Sequence, residues 1–355
     1  MKGKPQARAH SVRIVALGGG TGLSTVLRGL KEYVSTTKKE SIPRPISDLA
    51  AIVTVTDDGG SSGRLRREYR VLPPGDIRNC MVALSKDEHL LSKLFQYRFP
   101  LGGGLAGHSF GNLFLTALTH VTGDFPEAVR VSSRVLAIRG RIYPSTAQNV
   151  TLEAQLEDGQ IVAGETNISR SRNPIRRIRL VPRRVRPVPE VLEAIREADL
   201  ILIGPGSLYT SIVPNLLIDR VVDAIANSEA TCVYIANLMT QPGETQNYSV
   251  ADHIRAIYEH TRKHIFDYVV INSKTVPAAL LRKYRAQGAE PVQASLAELR
   301  RMGIRYVTGD FLHHSKVLRH DQSRLARLLL QEFVHHEKRR RAVRKQPAGK
   351  RRSKA

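Results

Sequence analysis

The chain has 355 residues, 41% of them hydrophobic, enough to bury a core as one large α/β domain with an insertion or as two domains. No Trp and 5% aromatic residues leave few rings for stacking nucleic-acid bases, and no run of about 18 apolar residues offers a membrane span. The net charge of +23 sits largely at the ends: residues 338–355 hold ten Lys/Arg and no acid, residues 1–10 hold three and no acid, and the body between is only moderately basic.

The basic ends, residues 1–11 and 336–355, lack apolar periodicity and are expected to be disordered and solvated; contact with nucleic acid or an anionic membrane is the lesser alternative for the tail. Cys80 and Cys232 stand alone, without paired spacing or a secretion signal, as in a reduced cytoplasmic protein.

In chain order, short apolar runs rich in β-branched residues each end in a small-residue or polar loop: RIVALGGG (13–20), LAAIVTVTDDGG (49–60), ADLILIGPGS (198–207), TCVYIANLMT (231–240) and FDYVVINSKT (266–275). Such runs are strands buried on both faces. Amphipathic stretches at 24–33, 189–198 and 249–264 alternate with them as helices, which predicts a doubly wound, mostly parallel Rossmann-like α/β sheet over 12–335. The middle differs. Residues 151–168 read as two strands about an Asp158-Gly159 turn, followed by a further extended piece, so a small antiparallel insertion is expected at about 143–187. Its eight arginines between 170 and 186 read chiefly as a solvated edge that blunts strand pairing, with anion binding as the alternative.

Ligands of open parallel sheets sit beyond the carboxyl ends of the strands, where all five loops fall. GGGTGLS presents Gly19, Gly20, Thr21 and Gly22 at a helix N-terminus, suited to a phosphate or diphosphate. It is not the dinucleotide fingerprint, because Leu23 and Thr25 stand where the third glycine would be, and it lacks the Gly-Lys-Ser/Thr of a P-loop. TVTDDGGSSG supplies Asp57 and Asp58, and PPGDIRN supplies Asp76, Arg78 and Asn79. These carboxylates could hold a divalent cation, grip a ribose hydroxyl, or simply turn the chain and cap a helix. GHSFGN offers His108 as an acid, base or phosphate donor, with Ser109 and Asn112 as partners, although Ser109 serves equally well as a helix cap. GPGSLYTSI adds Gly206, Ser207, Thr210 and Ser211, and NLMTQPGET adds Asn237, Thr240, Gln241 and Glu244 for a sugar or base edge. His260 and His264, with His253 earlier, lack a third zinc ligand and are not read as a metal site, nor are His313 and His314.

Taken together, GGGTGLSTVLRGLK, TVTDDGGSSGRLRREYRVLPPGDIRN, GHSFGN, GPGSLYTSI and NLMTQPGETQNYS closely resemble the gluconeogenesis-factor (YvcK) family, a branch of the CofD-like superfamily, over about residues 12–330. The resemblance implies a cytoplasmic bacterial protein that binds UDP-sugars such as UDP-N-acetylglucosamine and supports cell shape and cell-wall homeostasis on gluconeogenic carbon sources, with no reaction firmly attached. The sister branch, 2-phospho-L-lactate transferase, uses a nucleotide-activated substrate and a divalent metal, and its acidic loop motifs fall where Asp57, Asp58 and Asp76 stand. The stretch SSGRLRREYRVLPPGDIRN departs from that transferase's flavin-site sequence, which argues against a deazaflavin substrate.

The expected site therefore has a diphosphate on Gly19–Gly22, with ribose hydroxyls or Mg²⁺ on the acidic loops, Asp58 and Asp76 being the metal pair. Ser207, Thr210, Asn237 and Gln241 would contact sugar or base, and Arg319 in VLRHD is a further anion contact. A homodimer is the expected assembly, and a nucleotide-dependent transferase is the rival function.

Overall fold

The structure, a computed structural model, describes residues 11–35, 45–86, 90–100, 102–313 and 317–334; the basic ends up to residue 10 and from residue 335, together with His314, lie outside them. Among the described residues, ten strands form two sheets: β1 (Val12–Gly18), β2 (Ile46–Val53), β3 (Arg141–Pro144), β4 (Thr151–Leu156), β5 (Ile161–Ala163), β6 (Ile175–Val181), β7 (Leu200–Ile203), β8 (Thr231–Ile235), β9 (Tyr268–Asn272) and β10 (Arg305–Gly309). The larger sheet is parallel throughout, in the order β10-β9-β8-β7-β1-β2-β3.

β1, β2, β7, β8 and β9 are the five strands expected from the apolar runs. Every residue of β7 is buried, as are the last five of β1, because helices cover both faces of the sheet. The two edge strands had no such signature. β3 is four residues long and opens on Arg141, and no residue of β10 is fully buried.

The helices follow local rules with one shift of boundary. The first was expected from Ser24 but starts at Gly20 and runs to Leu30, so the glycine run is its first turn. Leu23, Val26, Leu27 and Leu30 are its buried face. Pro189 opens the helix Pro189–Glu197, where its missing N–H costs nothing. Ser249 and Asp252 form a capping box on Val250–Thr261, and His264 lies beyond that helix.

The insertion is a three-stranded antiparallel sheet, β5-β4-β6. The Asp158-Gly159 turn joins β4 to β5, with Gly159 at φ 86° and Asp158 accepting from the Gln160 amide. β5 ends at Ala163 rather than running on to 168: Gly164, at φ 90°, turns the chain and Glu165–Arg170 is a short helix. Tyr143 and Pro144, the expected start of the insertion, pair with Ile52 and Val53 at the edge of the main sheet. Leu152, Ala154, Ile178 and Leu180 join the same apolar cluster as β1 and β7, so the insertion is fused to the core.

Strand order reverses between β1 and β7: from β1 the chain moves outward to β2 and β3, then returns to β7 on the other side. That switch point is where an open α/β sheet leaves a crevice at its carboxyl ends. Among the described residues no helix is long and apolar enough to cross a membrane.

Candidate functional site

The crevice is built from the loops that leave β1 and β7. A Cβ on Gly22 would sit 2.2 Å from the Pro205 carbonyl oxygen, so only glycine lets the two loops meet at this distance. Asn237, at the end of β8, secures the second loop: its side chain accepts from the Gly206 amide at 3.0 Å and donates to the Gly206 carbonyl at 2.8 Å. Gln241 Nε2 donates to Ser207 Oγ at 2.7 Å, leaving Gln241 Oε1 buried without a partner. Thr21, Gly22, Pro205, Gly206, Gln241 and Arg319 thus line one cleft of about 260 Å³.

A second cleft, of about 300 Å³, is lined by Asp57, Ser61, Asp76, Arg78, Asn79 and Arg98 among others. Asp76 lies in the first turn of the helix Gly75–Leu84 and takes a hydrogen bond from the Gly20 amide. The cap position expected for it belongs to Pro74. Burial first, and then the nearby charge of Asp57, raise its carboxyl to about 6 against the Gly20, Arg78 and Asn79 contacts that lower it.

The carboxylates that face each other are therefore Asp57 and Asp76. Asp58, the expected metal partner of Asp76, points elsewhere: its Oδ1 accepts from the Thr166 amide at 2.9 Å and the Thr166 hydroxyl at 2.7 Å, tying the main sheet to the insertion's short helix. Glu165, beside that threonine, was not singled out from sequence. Its carboxyl is raised to about 9, first by burial and then by Asp57, Asp76, Asp58 and Glu244, and its Oε2 is buried without a partner. Glu244 is 4% exposed and raised by burial to about 7, while Ser169 donates to its Oε1.

Asp57, Asp58, Asp76 and Glu244 thus lie near enough to Glu165 for their charges to act on it. Among the described residues no group of three or more His, Cys, Asp or Glu is set to hold a metal ion by itself. Asp57 and Asp76 fit a Mg²⁺ ion as a pair, with ligand phosphate and water completing its shell, because the ion would relieve the repulsion that raises Asp76.

The GHSFGN residues serve mainly to brace this wall. Ser109 caps the helix Phe110–Thr122 and accepts from Arg78 Nη1 at 2.6 Å. His108 Nδ1 meets Ser61 Oγ at 3.0 Å, and Asn112 Nδ2 donates to Ser61 and Ser62. Burial, then Arg64, lower the His108 imidazole from its ordinary value, against Glu68, which raises it. Arg78 also donates to Asn79 Oδ1 at 2.8 Å. Arg98, a second residue not anticipated, stands near Arg78 and lines the same cleft as Asp57 and Asp76.

Thr240, an expected contact, exchanges hydrogen bonds with the Glu290 backbone. Thr210 is buried, and its carbonyl accepts from the Thr56 hydroxyl. Ser211 packs beside Gly19.

A doubly wound parallel sheet with glycine loops meeting at its switch point defines a Rossmann-like α/β fold. Residues 14–312 match the model of a family described as 2-phospho-L-lactate transferase CofD. The chain is 46% identical over 319 residues to the gluconeogenesis factor of Bacillus subtilis, covering 90% of this chain and 97% of that protein. It is 49% identical over 331 residues to a putative gluconeogenesis factor of a Nostoc species, covering 92% and 70%. A crystal structure of a UPF0052-family protein from Bacillus halodurans matches with a TM-score of 0.84 at 44% identity, over 90% of this chain and 99% of that one. The chain belongs to the CofD-like family, in its gluconeogenesis-factor branch.

Proposed function

We propose that the crevice binds a nucleotide sugar of the UDP-N-acetylglucosamine type, and that the chain acts through this binding in cell shape and cell-wall homeostasis during growth on gluconeogenic carbon sources. The observation that carries the ligand class is the contact of Gly22 with Pro205 at the switch point. The amides of Thr21 and Gly22 there lie in the first helical turn and have no intrahelical acceptor, which suits a diphosphate. The Gly20 amide already serves Asp76, so the phosphates are placed on Thr21 and Gly22. Asn237 and Gln241 act by holding the Gly206 and Ser207 loop. The cell-level role rests on membership of the gluconeogenesis-factor branch. Calorimetric titration with UDP-N-acetylglucosamine, GDP and NAD tests the ligand: saturable binding of the UDP-sugar supports it, and absence of any UDP-sugar binding sinks it.

A second reading is favoured by the Asp57 and Asp76 pair lining the same cleft as Arg78 and Arg98. An acid pair that can take Mg²⁺ in one cleft with two guanidinium groups suits transfer of a phosphoryl-linked group. In such a reaction Mg²⁺ would offset phosphate charge, the guanidinium groups would orient the anionic acceptor, and the neutral Glu165 would donate a hydrogen bond rather than repel it. Turnover of a labelled nucleotide with Mg²⁺, lost in Asp76→Asn, would establish this activity; no turnover with any nucleotide would leave the binding role alone.

A further inference from the structure

Away from the crevice, a separate cleft of about 560 Å³ where the insertion meets the main domain is lined by Arg177, Arg179, Arg183 and Arg262, together with Gln155, Ile178, Leu180 and Leu217. These arginines come from two parts of the chain. Arg177 and Arg179 lie on β6, alternating with the buried Ile178 and Leu180, so their side chains leave the core together. Arg183 follows that strand, and Arg262 follows the helix Val250–Thr261 in a left-handed conformation at φ 56°.

The cleft has no acid in its lining. Arg179 pairs with Glu153 at 2.7 Å, but Arg177, Arg183 and Arg262 make no ion pair among the described residues. Of the other acids on the neighbouring elements, Asp223 pairs with Lys263, and Glu259 lies outside the lining. Three like charges converging on one concavity repel one another, and an anion seated between them would offset this.

The simpler account, charges that keep an edge strand from pairing, does not explain the convergence. At the centre of β6 the Ile178 amide already donates to His260 Nε2 at 2.9 Å, and His260 Nδ1 bonds the Ala256 carbonyl at 2.7 Å. The strand edge is covered at that point by a histidine whose two ring nitrogens are both used.

We propose that this cleft is an anion site distinct from the switch-point crevice, taking a small molecule that carries two or more phosphoryl groups. The planar guanidinium fork matches phosphate oxygens in pairs, and three such forks match the charge of a diphosphate. No aromatic side chain lines the cleft, so it lacks the stacking platform that single-stranded nucleic acid requires.

The test is arginine footprinting of the full chain by phenylglyoxal, read peptide by peptide, with and without inorganic tripolyphosphate. Modification of Arg177, Arg183 and Arg262 slows about fivefold or more, while Arg176 and Arg184, exposed but outside the lining, react as before. In calorimetry the triple variant Arg177→Ala/Arg183→Ala/Arg262→Ala loses about tenfold or more in tripolyphosphate affinity at this site, and Asn237→Ala leaves the footprint unchanged. Equal protection of Arg176 and Arg184, or no protection, overturns the site, whether or not the triple variant folds. Protection by a short single-stranded RNA but not by tripolyphosphate overturns the ligand class.

Discussion

Asp58 and Thr166, 108 positions apart, are joined twice, since one carboxylate oxygen accepts from both the amide and the hydroxyl of the threonine. The acidic loop after β2 is thereby the anchor of the insertion as well as a wall of the site. Asp58→Ala leaves the amide of a helix start without its acceptor and is expected to cost about 2–4 kcal/mol, whereas Asp58→Asn, which keeps an acceptor, costs about 1 kcal/mol. Urea denaturation measures both. Combined with Thr166→Val, the Asp58→Ala loss is less than additive; strict additivity would mean that the two residues do not interact.

Asp76, Glu244 and Glu165 are raised to about 6, about 7 and about 9. Each sits above its unfolded value near 4, so the folded state holds protons that the unfolded state releases. The contribution of these groups to stability is complete below about pH 4 and falls as pH rises through each folded value. For Asp76, a rise of about two units corresponds to about 3 kcal/mol. Denaturation midpoints measured from pH 5 to 9 should decline, and Glu165→Gln should flatten the decline above pH 7. A profile identical to wild type in that variant contradicts this assignment.

Mg²⁺ provides a separate check on the same carboxylates. If it binds Asp57 and Asp76 together, added Mg²⁺ raises the melting temperature near pH 8, and the rise is lost in Asp57→Asn and in Asp76→Asn but retained in Asp58→Asn. Loss in Asp58→Asn with retention in Asp57→Asn would reverse the pairing drawn from the geometry.

Gly22→Ala places a methyl group where the Pro205 carbonyl oxygen lies within 2.2 Å. Since that oxygen is backbone, one loop must move. The expected cost is about 1–3 kcal/mol in a thermal melt, accompanied by loss of nucleotide-sugar binding in calorimetry. Unchanged affinity in a folded Gly22→Ala protein would separate the loop contact from ligand binding.

Asn237→Ala removes the two hydrogen bonds that fix Gly206, worth about 1–2 kcal/mol together. The loss should fall mostly on ligand affinity, about tenfold, with a small change in melting temperature. A tenfold loss matched by an equally large fall in stability would point to a purely structural role.

The sequence made the sheet legible wherever strands are buried on both faces, because continuous apolar runs such as that of β7 have no other use in a chain of this kind. It concealed β3 and β10, short or half-exposed edges whose pairing is decided by neighbours. The glycine, acidic and amide loops were found because each follows a legible strand. What they do was less legible. Asp57 and Asp58 are adjacent and identical, yet one faces Asp76 and the other a threonine on the insertion. Glu165 and Arg98 had no local signature, since both reach the site from segments outside the five strand ends.

Whether a nucleotide sugar rests at the β1 and β7 switch point is decided by a crystal structure with UDP-N-acetylglucosamine. The diphosphate is expected against the amides of Thr21 and Gly22, within reach of the Gly206 and Ser207 loop; a ligand bound elsewhere on the chain, with that crevice empty, would overturn the proposed function.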